Sequence, residues 1–160
     1  MEIIPFNKKY IKEISKLMLK DLENPPKEFP KEMIVKFAEH AKEEGIAKEF
    51  ENPNLIGFLA IKDGRVIGFV VGYKEDPTHS MIYYITGEIK VKKLLLKRFI
   101  EYCKNQKMTY IKTDSFEFME NHDFFEDNGF KIVSKEDIGN GLMMFWRRFD
   151  LTIPISPPIA

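Results

Sequence analysis

By residue type, the side chains of this chain best suited to move a proton are His122, Glu88 and the consecutive pair Tyr83–Tyr84. An unperturbed imidazole titrates near ~6.5, which suits His122 to proton transfer, although an exposed histidine on a helix needs no such role. Glu88 stands where an apolar run gives way to a helical pattern. It could act as a base through water, or simply be the acid that a first helical turn favours. Tyr83 and Tyr84 lie on a predicted strand, so their side chains are expected on opposite faces, one toward a cleft as a proton donor and one in the core. Asp114 and Ser115 follow another strand, at a carboxyl end where ligands gather in open sheets; both could equally cap the next helix. The single cysteine, Cys103, falls on an apolar helical face as filler and excludes an internal disulfide or a cysteine-rich zinc site. His40 on a surface helix and His79 in a turn carry no chemistry in this reading. No Ser/His/Asp set, phosphate-binding glycine loop or metal-ligand spacing stands out, so the expectation is acid–base chemistry without a metal.

The elements that must position these groups are readable from periodicity. Glu2-Ile3-Ile4-Pro5-Phe6 forms a short strand, and Asn7 is a plausible cap. Tyr10, Ile11, Ile14, Leu17, Met18 and Leu22 recur at helical spacing until Asn24-Pro25-Pro26 stops the helix. A second helix starts near Pro30, carries Met33, Ile34, Phe37, Ala38 and Ala41 on one face, and fades near Gly45; residues 49–54 read as a loop. Asp63-Gly64 between two apolar β-branched runs, 55–61 and 66–73, is a strong hairpin signal. The charged stretch 75–80 reads as a turn leading to a third strand, 81–86. A long helix follows over about 88–106, with Val91, Leu94, Leu95, Phe99, Ile100 and Cys103 facing inward. The rest is a strand at 110–113, a helix at about 117–128, and strands at 130–133 and 142–149. Asn128-Gly129-Phe130 marks the last helix-to-strand junction, because glycine takes the left-handed conformation that ends a helix.

Composition bounds the class. A chain of 160 residues is one domain by size, assigned to 1–150 with a Pro-rich tail over 151–160, and can bury about 70% of its unfolded surface. An apolar share of 44%, with 14 Phe and 6 Tyr, supports a packed core. Lys+Arg and Asp+Glu are each 25, which argues against a nucleic-acid binder relying on a basic face. No apolar run approaches the ~18 residues of a membrane span. The expected setting is soluble and cytoplasmic, with no nucleic-acid or membrane partner.

The order β-α-α-β-β-β-α-β-α-β-β resembles the GNAT superfamily of acyl-CoA-dependent N-acyltransferases over about residues 2–149. The likeness is carried by 65-RVIGFVVG-72, by 124-FFEDNGF-130 and by the long helix containing Leu95-Leu96 and Phe99 to Lys104. It implies an α/β fold with a mixed central sheet of about six to seven strands and about four helices. It implies acetyl-CoA or another acyl-CoA as co-substrate and a small-molecule or peptide amine as acceptor. The strand Met81 to Thr86 would splay from its neighbour and pair with the pantetheine arm. The following loop would present helix N-terminal amides to the CoA pyrophosphate, an anion site by virtue of unpaired N–H groups and the helix dipole. The residues so implicated are Ile85, Thr86, Gly87, Lys90, Val91, Lys92 and Lys93, with Ser115 and Phe125.

This sequence departs from the family at two places. Lys90 and Lys92 stand at the loop's two glycine positions, and Gly87 where Gln or Arg is expected. The lysines could supply direct charge to the pyrophosphate, or they could be solvated residues of an ordinary helix. Phe125 replaces the frequent general-acid tyrosine, and Phe118 the asparagine seven residues earlier; that leaves Glu88, Tyr84 and His122 as the catalytic candidates. Two readings follow: an N-acyltransferase acting on a primary amine, or a GNAT-fold binding or regulatory module that has lost chemistry, conceivable as a CoA sensor. A third is a homodimer built on the aromatic final strand, Phe145 to Phe149, against which stands burial of its tryptophan.

Overall fold

The computed structural model describes residues 1–139 and 141–152, so the tail expected beyond residue 152 lies outside the described residues. In chain order the elements are β1 (Glu2–Pro5), a 3-10 turn (Lys8–Tyr10), α1 (Ile11–Asp21), α2 (Lys31–Ala41), α3 (Glu43–Glu49), β2 (Leu55–Lys62), β3 (Arg65–Asp76), β4 (His79–Thr86), α4 (Ile89–Asn105), β5 (Tyr110–Phe116), α5 (Glu120–Asp127), β6 (Lys131–Asp137) and β7 (Met143–Asp150). The seven strands form one sheet in the order β1-β2-β3-β4-β5-β7-β6. Among the described residues only β4 and β5 run parallel. This is the mixed sheet expected, with one helix more than anticipated.

That extra helix arises at Lys42, whose ψ of 153° breaks the helical run before it restarts as α3. Gly45, expected to end the second helix, lies inside α3 instead. A side chain there would put its Cβ 2.6 Å from the carbonyl oxygen of His40, so only glycine allows the two helices to turn so tightly. The Asp63-Gly64 hairpin forms as expected, both residues holding positive φ (52° and 75°); this pair of left-handed residues matches the right-handed twist of the flanking strands.

The sheet separates two apolar clusters. On one face Ile14, Met18 and Ile46 of α1 and α3 pack on Leu59, Phe69 and Val71. On the other, Val91, Leu95, Leu96, Phe99 and Cys103 of α4 pack with Phe124, Phe125 and Phe130 on Val70, Ile82 and Ile111. Leu94, expected inside, is 43% exposed. The buried stripe runs through 91, 95, 99 and 103 with 92 and 96 beside it, which turns position 94 outward. The Asn128-Gly129-Phe130 junction closes as read from the sequence. Gly129 holds φ +91°, its N–H donates to Glu126, and Phe130 N–H reaches back to the Phe125 carbonyl at 3.0 Å.

Other expectations are corrected. The charged segment 75–80 is mostly strand. The turn is confined to Asp76–His79, where Asp76 Oδ1 accepts the N–H of Thr78 at 2.7 Å and of His79 at 3.0 Å. His79 is therefore a buried strand residue, stacked on Tyr110 at 4.5 Å and bonded to Glu75 at 2.7 Å. The final strand, proposed as a dimer edge, pairs with β5 on one side and β6 on the other. It has no free edge, and Trp146 is half-buried with its indole N–H donating to Glu136.

Candidate functional site

The centre of the molecule is set by how β4 leaves its neighbours. Its parallel pairing with β5 runs from His79↔Tyr110 to Ile82↔Thr113 and stops. On its other edge the register with β3 slips between Val71↔Tyr84 and Gly72↔Ile82, so Tyr83 is an extra residue, a β-bulge. Gly72 permits it, since a Cβ there would meet the Met81 carbonyl oxygen at 2.0 Å. The bulge also overturns the alternation expected for Tyr83 and Tyr84. Both side chains pack on the α1–α3 side, Tyr84 stacked on Phe69 at 5.5 Å and Tyr83 near Tyr73 at 6.4 Å.

Beyond the bulge the diverging strands open onto a cavity of about 530 Å³, roofed by α1, α2 and the segment between them. A volume of this size lies within the ~300–1,000 Å³ of small-molecule sites. Tyr83, Tyr84, Ile85, Asp114, Ser115 and Phe125 all reach its wall. The Tyr84 hydroxyl donates to Asp21 Oδ2, and Thr86 Oγ1 donates to the same oxygen at 2.7 Å. Burial, reinforced by the Asp21 carboxylate, raises the Tyr84 pKa well above that of a free phenol, so the group stays protonated as a hydrogen-bond donor. Burial likewise raises Tyr83. Asp114 is pushed above the ordinary carboxylate range by desolvation, only partly opposed by a backbone hydrogen bond and Lys112. A carboxyl group so placed in a cavity is suited to accept a proton.

Asp21 escaped the sequence reading. The only local sign was its position, an acid in the last turn of α1 where the helix dipole disfavours it. Its partners are the hydroxyls of a strand more than sixty residues away, which no local pattern reveals.

On the α4 side the same divergence is filled. Gly87, at φ +132°, lets the chain turn sharply into α4; any Cβ there would press on Gly68 Cα and the Ile67 carbonyl oxygen at 3.3 Å. Glu88 is the N-cap residue of α4, but its side chain makes no capping bond, and it is exposed away from the cavity wall. The first amides of this 17-residue helix are thus left without a side-chain partner. Lys90 and Lys93 are exposed beside them, whereas Val91 is core. Lys92 is only 2% exposed. Its ammonium donates to Asn121 Oδ1 at 3.0 Å and lies 4.8 Å from the Phe124 ring centre. Asn121 Nδ2 in turn donates to the Ile85 carbonyl at 3.1 Å, so Lys92 and Asn121 bridge α4, α5 and the splayed end of β4.

His122 stands outside the cavity wall. Its Nδ1 lies 3.1 Å from Ser115 Oγ, and its ring faces the fully buried Arg147, which also reaches Glu126 and the Phe130 carbonyl. This network ties β5, α5 and β7 together. Ser115 belongs to it rather than capping α5, whose N-cap residue is Met119. Cys103, buried against Ser80 Oγ at 3.2 Å, has its thiol pushed up to about 11 by burial and is a filler, as expected.

No protein-family model and no curated protein matches the chain. Solved structures do. The aminoglycoside 6'-N-acetyltransferase from Enterococcus faecium superposes with a TM-score of 0.73 at 17% identity, over 96% of this chain and 98% of that one. PaiA N-acetyltransferase from Thermoplasma acidophilum, in complex with coenzyme A, gives 0.71 at 17% identity, over 92% and 98%. A protein described as a GNAT-family acetyltransferase from Desulfovibrio desulfuricans gives 0.74 at 10% identity, over 94% and 98%. The chain therefore has the GNAT fold.

Proposed function

We propose that this protein is an N-acyltransferase that moves an acetyl or other acyl group from acyl-CoA to a primary amine. The observation that carries the reading is the divergence of β4 from β5 past Ile82↔Thr113, which exposes strand edges beside a cavity holding Tyr84 and Asp114. An extended pantetheine arm can pair with such an edge as an added strand. The unpartnered first amides of α4, with Lys90 and Lys93 exposed next to them, suit the CoA pyrophosphate. Crystallised with coenzyme A, the PaiA N-acetyltransferase shows that a protein of this fold holds that molecule.

In this reading Asp114 takes the proton from the acceptor ammonium, leaving a neutral amine to attack the thioester carbonyl. The C–N bond forms as the C–S bond breaks, and the departing sulfur takes a proton. We assign that donation to Tyr84: its proton, held by Asp21 at rest, turns to the sulfur as the C–S bond breaks, and the phenolate regains a proton from solvent. Glu88 and His122, catalytic candidates by residue type, lie off the cavity wall; the role proposed for His122 is to hold Ser115 and Arg147 in place.

One observation favours the other reading, a module without chemistry. Asn121 already occupies the Ile85 carbonyl, and Lys92 props it there. Calorimetric titration with acetyl-CoA, with dephospho-CoA as control, separates the two. Micromolar binding followed by thiol release in the presence of an amine supports transfer. Binding without release for any amine favours the module, and no binding up to millimolar acetyl-CoA overturns both CoA readings.

A further inference from the structure

The chain carries 25 Lys and Arg residues, yet none of them lines the central cavity. Its charged groups there are the carboxylates of Asp21, Glu49 and Asp114, beside the imidazole of His40. In a protein whose charges balance overall, that asymmetry marks a site complementary to a cation. None of the three carboxylates is in an ion pair among the described residues; Asp21 already accepts from Tyr84 and Thr86, whereas Asp114 stands at the end of β5 beside Phe116. Lys112, two positions back on β5, is committed to Glu75 at 2.8 Å.

Much of the rest of the wall is apolar, with the hydroxyls and amide of Tyr73, Tyr83, Tyr84, Ser115 and Asn121 among it. Leu22, Pro25 and Pro26 close one side, and Met33, Met119 and Met144 line others. Thioether side chains adapt to irregular apolar ligands and contact aromatic rings favourably. Phe29, from the segment between α1 and α2, lies edge-on to Phe116 at 5.4 Å and to Phe118 at 5.2 Å, at interplanar angles of 80° and 90°. These contacts tie the segment between α1 and α2 to the end of β5 and narrow the site on that side. A polycation with many amino groups would leave most of its charges against methionine and phenylalanine, at a desolvation cost that three carboxylates do not offset. A peptide chain would need the Phe29 contacts open.

Resting on the acyl-transfer reading, we propose that the acceptor is a small apolar primary amine of the arylalkyl type, its ammonium held at Asp114 and its aromatic body against Phe29, Phe116 and Met33. The reaction balances as above: the amine nitrogen gains the acyl carbon and gives up its protons to Asp114 and then solvent, and the thiol leaves.

The test separates class from chemistry by measuring binding without acetyl-CoA. The wild-type protein is titrated, by calorimetry or thermal shift, with 2-phenylethylamine, n-propylamine, spermidine and a decapeptide beginning Met-Phe. The expected result is tightest binding for 2-phenylethylamine, by about tenfold over n-propylamine and spermidine, with at least a tenfold loss in Asp114→Asn. Phe29→Ala, which removes a partly exposed ring and leaves the two core clusters intact, should lose most of the preference for the aryl group while still binding n-propylamine. Tighter binding of spermidine or the peptide, equal binding of all amines, or no binding of any overturns the proposal. Acetyl-CoA is then added: 2-phenylethylamine that binds but yields no N-acetyl product refutes acyl transfer and leaves the amine pocket standing.

Discussion

The two sides of the β4–β5 divergence are built on opposite principles. Toward α1 and α2 the strands open onto a hollow lined by methionine, phenylalanine and three carboxylates. Toward α4 and α5 the same gap is packed, with Lys92 and Asn121 bonded across it and Phe124 and Phe125 closing the core. The hollow side leaves an apolar lining uncovered by protein atoms, the form of a small-molecule site. The filled side satisfies its polar groups internally, so a ligand there must first displace what the protein supplies.

The largest effect expected from breaking this contrast lies on the hollow side. Asp114→Asn should lower acyl transfer by ~10²–10⁴-fold, the usual contribution of a positioned base, while acetyl-CoA affinity stays unchanged. Steady-state kinetics with a separate titration of acetyl-CoA checks both; equal loss of binding and turnover would mean that Asp114 supports the pocket rather than the chemistry. The acid limb of the pH–rate profile should fall above the ordinary carboxylate range, because burial raises the Asp114 pKa from its usual 3.8. Stability moves the other way. With a folded-state pKa above the unfolded value, the folded protein holds its proton longer, so stability declines as pH rises from about 3.8 through the raised value. Denaturant midpoints measured across that interval should show the decline in the wild type and a shallower one in Asp114→Asn.

Next in size is Lys92→Met, which removes the buried ammonium of the filled side. Its acidic neighbour Glu120, 3.4 Å away, is 76% exposed, so the change leaves no buried charge behind. Replacing such a cation with an apolar chain of similar length should alter stability by less than ~1 kcal/mol. If Lys92 can swing to the pyrophosphate, acetyl-CoA affinity falls about tenfold, the scale of a charge-assisted hydrogen bond. Unchanged affinity would show that the lysine is a prop between α4 and α5.

What the sequence made legible follows the range of the interactions involved. The Asp63-Gly64 hairpin and the Gly129 helix end depend on backbone preferences of adjacent residues, and both form as read. The sheet followed from element order. The bulge at Tyr83 leaves no local sign because it depends on Gly72, across the strand pair, where any Cβ would lie 2.0 Å from the Met81 carbonyl oxygen; strict alternation therefore puts the two tyrosines on opposite faces. His79 looked like a turn residue because its neighbours are charged, yet those charges are its partners in a folded cluster with Lys112. Asp21 and Asn121 act across the fold, on β4, and neither stands in a pattern that sequence spacing could register.

The smallest effect expected is the most discriminating. Asn121 donates to the Ile85 carbonyl, a group that the acyl-transfer reading needs for the pantetheine arm. Asn121→Ala removes that internal competitor and leaves Lys92 with Glu120. One neutral hydrogen bond contributes ~1 kcal/mol, so acetyl-CoA should bind about fivefold tighter to this variant while losing Asn121 costs the fold a similar amount. Calorimetry on the variant and the wild type, with denaturant melts of both, reads the two sides of that exchange. Tighter binding would mean that the filled side is a cofactor site held shut by its own side chains. Weaker binding would make Asn121 a ligand for acyl-CoA, and the packing of the α4 side would then be a preformed contact rather than an obstacle.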